Sequence, residues 1–470
     1  MGNYERLSFL DNSFLVMEGP TNPMHVGATL LFEPGGTLRG KNGGVDIETV
    51  RAFIAARLQY VPRYRQRLQW IPVERHPVWV DDDHFDLAYH VRHVALPHPG
   101  SMEQMLEMSG RFLSRRLDRA RPMWDVLVIE GLEDGRFSLV TKVHHCMIDG
   151  IGGVDLLKVL LAPMASVDVG EPNEYEPRPV PSSADLLIDE VVRFLQFPPE
   201  AVKNARKLGE GTREIGGLLR HRLRAMTESA RSGWFVNASQ TPLNHMIGPN
   251  RRIAHLTTDL DRVKAIKGGL GGTVNDVVVT AVAGAVRSFL IEERDFDVEG
   301  VDFRAMVPVS IRDEERAGEL SNQITMWLLE LPIAESDPVE RYRAVGAATE
   351  HLKETDQALG AAMLTQSVSF TPSTVLTVAA RVAAATVRPF NLTVTNVPGP
   401  QVPLFMLDSR LERIFPLVPL WVNHGLGVGL FSYDGMLNWG FAADWDTVPD
   451  LELFVVRIEA ALDELHDAAT

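Results

Sequence analysis

The sequence predicts an α/β fold, built as α+β layers, in two domains. Strand-like and helix-like periods occur in both halves of the chain, and layers of sheet and helix would pair them. With 470 residues, 45% of them hydrophobic, the chain is long enough for two cores. An aperiodic stretch, PMASVDVGEPNEYEPRPVPS (163–182), holds five prolines and divides it. The predicted organisation is an N-terminal domain over 1–162, a mobile Pro-rich linker with a basic helical segment over 163–245, and a C-terminal domain over 246–470.

Residues 125–146 read as a hairpin. DVLVIEGL is a strand, EDGR a tight turn centred on Asp134-Gly135, and RFSLVTKVHHC the return strand. GIGGVDLLKVLL, which follows, has apolar residues at helical spacing. Residues 185–231 look helical. Within them 201–231 is locally basic, with Lys203, Arg206, Lys207, Arg213, Arg220, Arg222, Arg224 and Arg231 against Glu210, Glu214 and Glu228. Such a segment can meet a membrane surface or an anionic ligand, or present a solvated helix face. In the second half IAHLTTDL (253–260), FRAMVPVSI and QITMWLLELP read as strands, and NLTVTNVPGP as a strand ending in a Pro-Gly turn. TVNDVVVTAVAGAVRSFLIEE (273–293) reads as a long helix, with Thr273 and Asp276 spaced as a capping box. PVERYRAVGAATEHLKETD is an amphipathic helix opened by Pro338. GVGLFSYDGMLNWGFAAD turns at Asp434-Gly435, and PDLELFVVRIEAALDELH closes the chain as a helix.

A net charge of −16 argues against nucleic acid as the main partner, because phosphates are held by clustered Lys and Arg. Cys146 is the single cysteine, so no intrachain disulfide can form and a reducing, cytoplasmic setting is expected. The N-terminus shows no signal peptide, and Arg6 breaks the myristoylation pattern. The longest apolar candidate, TVLTVAARVAAATV (374–387), is interrupted by Arg381. The expectation is a soluble or peripheral protein.

The stretch KVHHCMIDGIGG (142–153) carries the chemistry. Side chains on a strand alternate faces, so His144 and His145 point apart and do not converge on one metal ion. The same alternation separates His145 from Cys146 as a nucleophilic pair, and no GxSxG elbow occurs. What remains is one histidine as a general base, suited to taking a proton from an alcohol or amine as it attacks an activated thioester. Asp149 can fix the loop by pairing with an arginine. Gly150 permits a tight turn.

HHCMIDG matches the HHxxxDG signature, and this stretch resembles the coenzyme A-dependent acyltransferases related to chloramphenicol acetyltransferase and to peptide-synthetase condensation domains. RPMWDVLVIEGL (121–132), Asn275-Asp276 in VNDVVVTAVAGAVR, MVPVSIR (306–312) with LSNQ (320–323), NVPGP (396–400) and the opening RLSFLDNSFLVMEGPTNPMHVG follow one family's order of blocks. Over nearly its whole length the chain resembles the bacterial bifunctional wax ester synthase/diacylglycerol acyltransferases, with Met123 where their "PLW" block has leucine. The resemblance implies two pseudo-symmetric chloramphenicol-acetyltransferase-like domains with a tunnel at their interface. It implies transfer of a long-chain acyl group from acyl-CoA to a fatty alcohol or a diacylglycerol, without an acyl-enzyme and without a bound cofactor or metal. It makes His145 the base, His144 supportive or merely packed, and Asp149 structural, with Arg312 as its partner. Asn275, in the first turn of its helix, either donates to the thioester oxygen or serves the helix start. Asp276 caps or orients. The basic 201–231 segment would meet a membrane, a lipid-droplet surface or the phosphates of coenzyme A, and a homodimer is compatible with the family. The competing functions are a condensation-type amide synthase, a hydrolase, and a non-catalytic lipid-binding or droplet-surface protein on the same scaffold.

Overall fold

A computed structural model describes residues 4–41, 43–147, 156–195, 236–310, 324–354 and 388–470. Asp149, Gly150, Arg312, the basic 201–231 segment and the apolar 374–387 stretch lie outside the described residues. The strands are β1 (Glu5–Arg6), β2 (His25–Glu33), β3 (Gln66–Trp70), β4 (Pro77–Asp81), β5 (Val91–Ala95), β6 (Trp124–Glu130), β7 (Phe137–His144), β8 (Arg251–Asp259), β9 (Arg304–Ser310), β10 (Ile324–Glu330), β11 (Leu392–Pro398), β12 (Phe405–Met406), β13 (Ser409–Leu417), β14 (Leu426–Tyr433) and β15 (Met436–Asp444). The helices are α1 (Phe9–Met17), α2 (Ile47–Arg57), α3 (Leu87–His90), α4 (Met102–Ser114), α5 (Leu156–Leu160), α6 (Ser183–Leu195), α7 (Leu260–Leu270), α8 (Val274–Arg294), α9 (Pro338–Glu354) and α10 (Leu451–Ala469).

Two six-stranded sheets dominate, in the orders β12-β13-β2-β7-β6-β5 and β10-β9-β11-β14-β15-β8; a small sheet, β1-β4-β3, lies beside them. The large sheets repeat one scheme. Along β2-β7-β6-β5 the pairings run antiparallel, antiparallel, parallel, and along β8-β15-β14-β11 they run the same way. The registers agree too: His25 opens β2 opposite His144, and Arg251 opens β8 opposite Asp444. This is the two-domain pseudo-symmetry that the resemblance implies.

The hairpin over 125–146 forms as its Asp-Gly turn and alternating pattern predict. Its second strand ends at His144 rather than Cys146, because His25 is the first residue of β2 and the ladder runs out there. His145–Met147 is a single 3-10 turn. The capping box at Thr273 is present: Asp276 Oδ2 accepts from Thr273 N–H at 2.8 Å, and Thr273 Oγ1 accepts from Asp276 N–H at 3.2 Å.

Two features depart from a linear reading. β13 comes from the second half of the sequence yet pairs with β2 in the first sheet, crossing over β14 and β15 on the way. Glycines allow the crossing: a Cβ on Gly440 would stand 2.0 Å from the Pro416 carbonyl oxygen, and one on Gly429 2.8 Å from it. The proline-rich stretch, expected to be mobile, is pinned to the first half. Tyr175 donates to the Arg65 carbonyl at 3.0 Å, Arg178 forks onto Asp81 at 2.8 and 2.9 Å, and Gln69 donates to the Pro181 carbonyl at 2.9 Å.

The larger core surrounds α8, whose Val277–Val286 run is buried on every side between α7, α9, α10 and the second sheet. Among the described residues α8 is the one helix long and apolar enough to cross a membrane, and its apolar surface is spent on this core.

Candidate active site

α1 and the turn after β7 meet at His145. Ser8 caps α1 by accepting the Asp11 N–H at 3.1 Å, which sets the helix that carries Phe14. The Phe14 ring stacks on the His145 imidazole with centroids 3.7 Å apart and planes at 16°. The backbone N–H of His145 donates to the Met24 carbonyl at 2.8 Å. Its Nδ1 is buried and has no hydrogen-bond partner. Burial pushes the ring down to about 4, and only its own carbonyl pulls the other way. Among the described residues no carboxylate orients this imidazole, which is neutral and desolvated.

His144 is buried completely and has different partners. Its Nδ1 accepts from the Cys146 N–H at 3.2 Å. The proton of the neutral ring therefore belongs on Nε2, which lies 3.7 Å from Glu18 Oε1. Burial lowers His144 to about 4 against the pull of Glu18. Glu18 is itself buried. Arg116 donates to its Oε2 at 3.1 Å, and Arg119 donates twice, at 3.1 and 2.7 Å. Burial alone would raise the Glu18 carboxyl; His144 and the two arginines outweigh it and hold it lowered.

The other singled-out residues have clear places. Burial raises the Cys146 thiol well above its usual value, so it stays protonated and is no nucleophile. Met123 and Trp124 are fully buried core, and Trp124 Nε1 donates to the Tyr64 carbonyl at 2.8 Å. Asp125 faces the buried Lys142 ammonium at 3.6 Å, and Lys142 donates to the carbonyls of Phe112 and Arg115 at the end of α4. The block thus anchors the motif strand. Asp276 is bonded to Thr273 and Thr349. Asn275 sits half-buried beside it. Asn275 lies in the first turn of α8, one residue before the capping Asp276. Among the described residues no group of three or more His, Cys, Asp or Glu side chains could hold a metal ion.

Residues not singled out from the sequence complete the site. Trp421 lies 6.5 Å from Phe14, and Phe390 lies 6.1 Å from Trp421. Met306, Leu328 and Phe390 cluster there with Met326 and Trp421. Met306 and Leu328 alternate with Val307 and Leu329, which face the helical core, so the opposite face of the second sheet offers an apolar wall near His145. Glu18 and Phe14 stood in the opening block; the signal there was a lone glutamate inside an apolar run. The cavity between the two sheets beside His25 and Arg251 measures about 30 Å³, room for a water molecule and not for an acyl chain.

Residues 7–278 match the model of the wax ester synthase/diacylglycerol acyltransferase catalytic domain, and residues 320–466 match the WS/DGAT C-terminal domain. A Mycobacterium tuberculosis protein (strain H37Rv) named "Probable diacyglycerol O-acyltransferase" is 32% identical over 97% of this chain and 98% of its own length. The "O-acyltransferase WSD" of Acinetobacter baylyi is 27% identical over 96% of this chain and 94% of its own. Among solved structures, the wax ester synthase/diacylglycerol acyltransferase from Marinobacter aquaeolei VT8 superposes with a TM-score of 0.66 at 26% identity, covering 99% of each chain. A trichothecene 15-O-acetyltransferase from Fusarium sporotrichioides shares the fold, with a TM-score of 0.60 at 10% identity over 98% of this chain and 95% of its own.

Proposed function

Since this chain belongs to the wax ester synthase/diacylglycerol acyltransferase family, and so to the O-acyltransferases, we propose that it moves a long-chain acyl group from acyl-CoA to a fatty alcohol, a diacylglycerol, or both. His145 takes the hydroxyl proton as the acceptor oxygen attacks the thioester carbonyl. The C–O bond forms, the C–S bond breaks, and the leaving thiolate recovers the proton from the imidazolium. No acyl-enzyme is needed, since the acceptor hydroxyl attacks the thioester directly, and the buried, protonated Cys146 is not a nucleophile.

The observation that carries this reading is the state of His145. It is neutral, packed against an aromatic ring, without an orienting carboxylate among the described residues, and beside an apolar wall. A base this weak does not ionise an alcohol in advance. Its proton transfer must accompany attack on an acyl carbon that is already activated, and a thioester is one. The apolar wall suits an acyl chain and a hydrophobic acceptor.

The test is thiol release from palmitoyl-CoA by wild type and His145→Ala, with a long-chain alcohol, with diacylglycerol and with no acceptor, the products being separated. Acceptor-dependent ester formation that drops about 10²–10⁴-fold in the variant, at unchanged circular dichroism, is expected. Release without acceptor would mean hydrolysis. A variant that keeps most of its turnover would remove His145 as the base.

A further inference from the structure

We propose that Glu18 is a positioning residue of the catalytic base. It grips at once the three elements that hold the His145 imidazole. The inference rests on the reading of His145 given above.

The first grip is on Phe14. Glu18 is the C-cap of α1, and its backbone N–H donates to the Phe14 carbonyl at 3.1 Å. The ring that stacks on His145 is therefore fixed by the residue that ends its helix. The second grip is on Met24. Glu18 Oε1 accepts the Met24 N–H at 3.4 Å, and the carbonyl of the same Met24 accepts the His145 N–H. The third is on His144, whose Nε2 stands 3.7 Å from Oε1 and whose Nδ1 holds the backbone of the turn through the Cys146 N–H. One residue thus reaches the aromatic cover through its backbone N–H, and the backbone support and the neighbouring imidazole through its carboxylate.

The second and third grips depend on the carboxylate. The Glu18 side chain is 1% exposed, and Arg116 and Arg119 are spent on its second oxygen. Arg119 also donates to the Leu15 carbonyl at 2.8 Å, so the arginine side of the cluster is tied to α1 as well. With Oε2 saturated by guanidinium groups, Oε1 is left to face Met24 and His144. Among the described residues the imidazole itself touches no charged group, so its placement comes from its neighbours, and those neighbours meet at Glu18.

Glu18→Gln keeps the shape and removes the charge. Because it leaves Arg116 and Arg119 without their counter-ion, the double variant Glu18→Gln/Arg119→Gln is made beside it. Three quantities are measured: melting temperature, kcat with KM for palmitoyl-CoA, and the rate at which diethyl pyrocarbonate modifies His145, read by peptide mass spectrometry. A positioning role predicts that kcat per folded molecule falls about 10–100-fold in both variants while KM stays within about twofold, and that the His145 modification rate changes with it. Unchanged kcat and unchanged modification rate in both variants, even at a lower melting temperature, would make Glu18 a fold-holding residue only and overturn the proposal. Wild type without any turnover would defeat the acyl-transfer reading instead, and the modification rates would still decide the role of Glu18.

Discussion

At the end of the first ladder His144 pairs with His25, and at the corresponding place in the second Asp444 pairs with Arg251. The backbone around them is the same. His144 and His145 donate to the carbonyls of Met123 and Met24; Asp444 and Trp445 donate to those of Gly425 and Asn250. The side chains differ. Asp444, fully buried, accepts from the N–H of Gly248 and from the N–H and hydroxyl of Thr447, and faces Arg251 at 3.6 Å. At the other place His145 Nδ1, His144 Nε2 and His25 Nδ1 are buried without a hydrogen-bond partner. Buried polar groups are nearly always satisfied. Of two equivalent places, one satisfies its polar groups and the other leaves imidazole nitrogens open. The lesson is that a repeated backbone scheme need not carry the same chemistry: one copy closes its ladder on an ion pair, the other on imidazole nitrogens that lack hydrogen bonds.

Acid should break this comparison most strongly. Burial pushes His90, His144, His145 and His424 down to about 4, His255 to about 3, and His25 well below the usual value. The unfolded chain takes up protons below about pH 6.5 that the folded chain refuses, so stability present above that pH is lost as pH falls toward 4. Four of these six histidines, His25, His90, His144 and His145, belong to the first half. Hydrogen exchange at pH 5 should therefore open β2, β6 and β7 before β8, β14 and β15. Equal loss of protection in the two sheets would erase the asymmetry. Activity lost below pH 6.5 should follow unfolding rather than titration of His145.

Asp444→Asn should come next. It strands the buried Arg251 guanidinium and costs roughly 3–5 kcal/mol in denaturant unfolding, while kcat of the folded fraction holds. A fall in kcat at unchanged stability would put Asp444 in the chemistry and dissolve the contrast. Phe14→Leu should have the smallest effect. Losing the stack removes about 0.5–1.5 kcal/mol beyond its area burial and lowers kcat several-fold at constant KM for palmitoyl-CoA. A KM change alone would make Phe14 a substrate contact instead of a prop for the base.

The local parts of this molecule were legible in the sequence. Alternation and an Asp-Gly turn announce the hairpin, Thr273 and Asp276 announce the start of α8, and two adjacent histidines at a strand end announce the site. Long-range pairing was not legible, since nothing in SRLERIFPL says that it will pair with β2. The same blindness hid the partners of Glu18: a lone glutamate in an apolar run can be noticed, but not that it meets two arginines about 100 residues later. The proline-rich stretch misled for a related reason. Its composition speaks for loose chain, but Tyr175 and Arg178 find partners in Arg65 and Asp81 that composition cannot reveal. The role expected of His145 came from resemblance to a family motif, and that of Asn275 from its place in the first turn of α8.

The crossing of β13 has a consequence in time. During synthesis β2, β6 and β7 emerge early and can pair at once. The strand that covers the other edge of β2 is encoded more than 370 residues later, at Ser409–Leu417. Until the ribosome has delivered it, β2 offers a bare edge of N–H and C=O groups to whatever chain is near. The first domain of this protein is thus completed almost last, and the nascent chain needs its edge shielded for nearly the whole of its own translation.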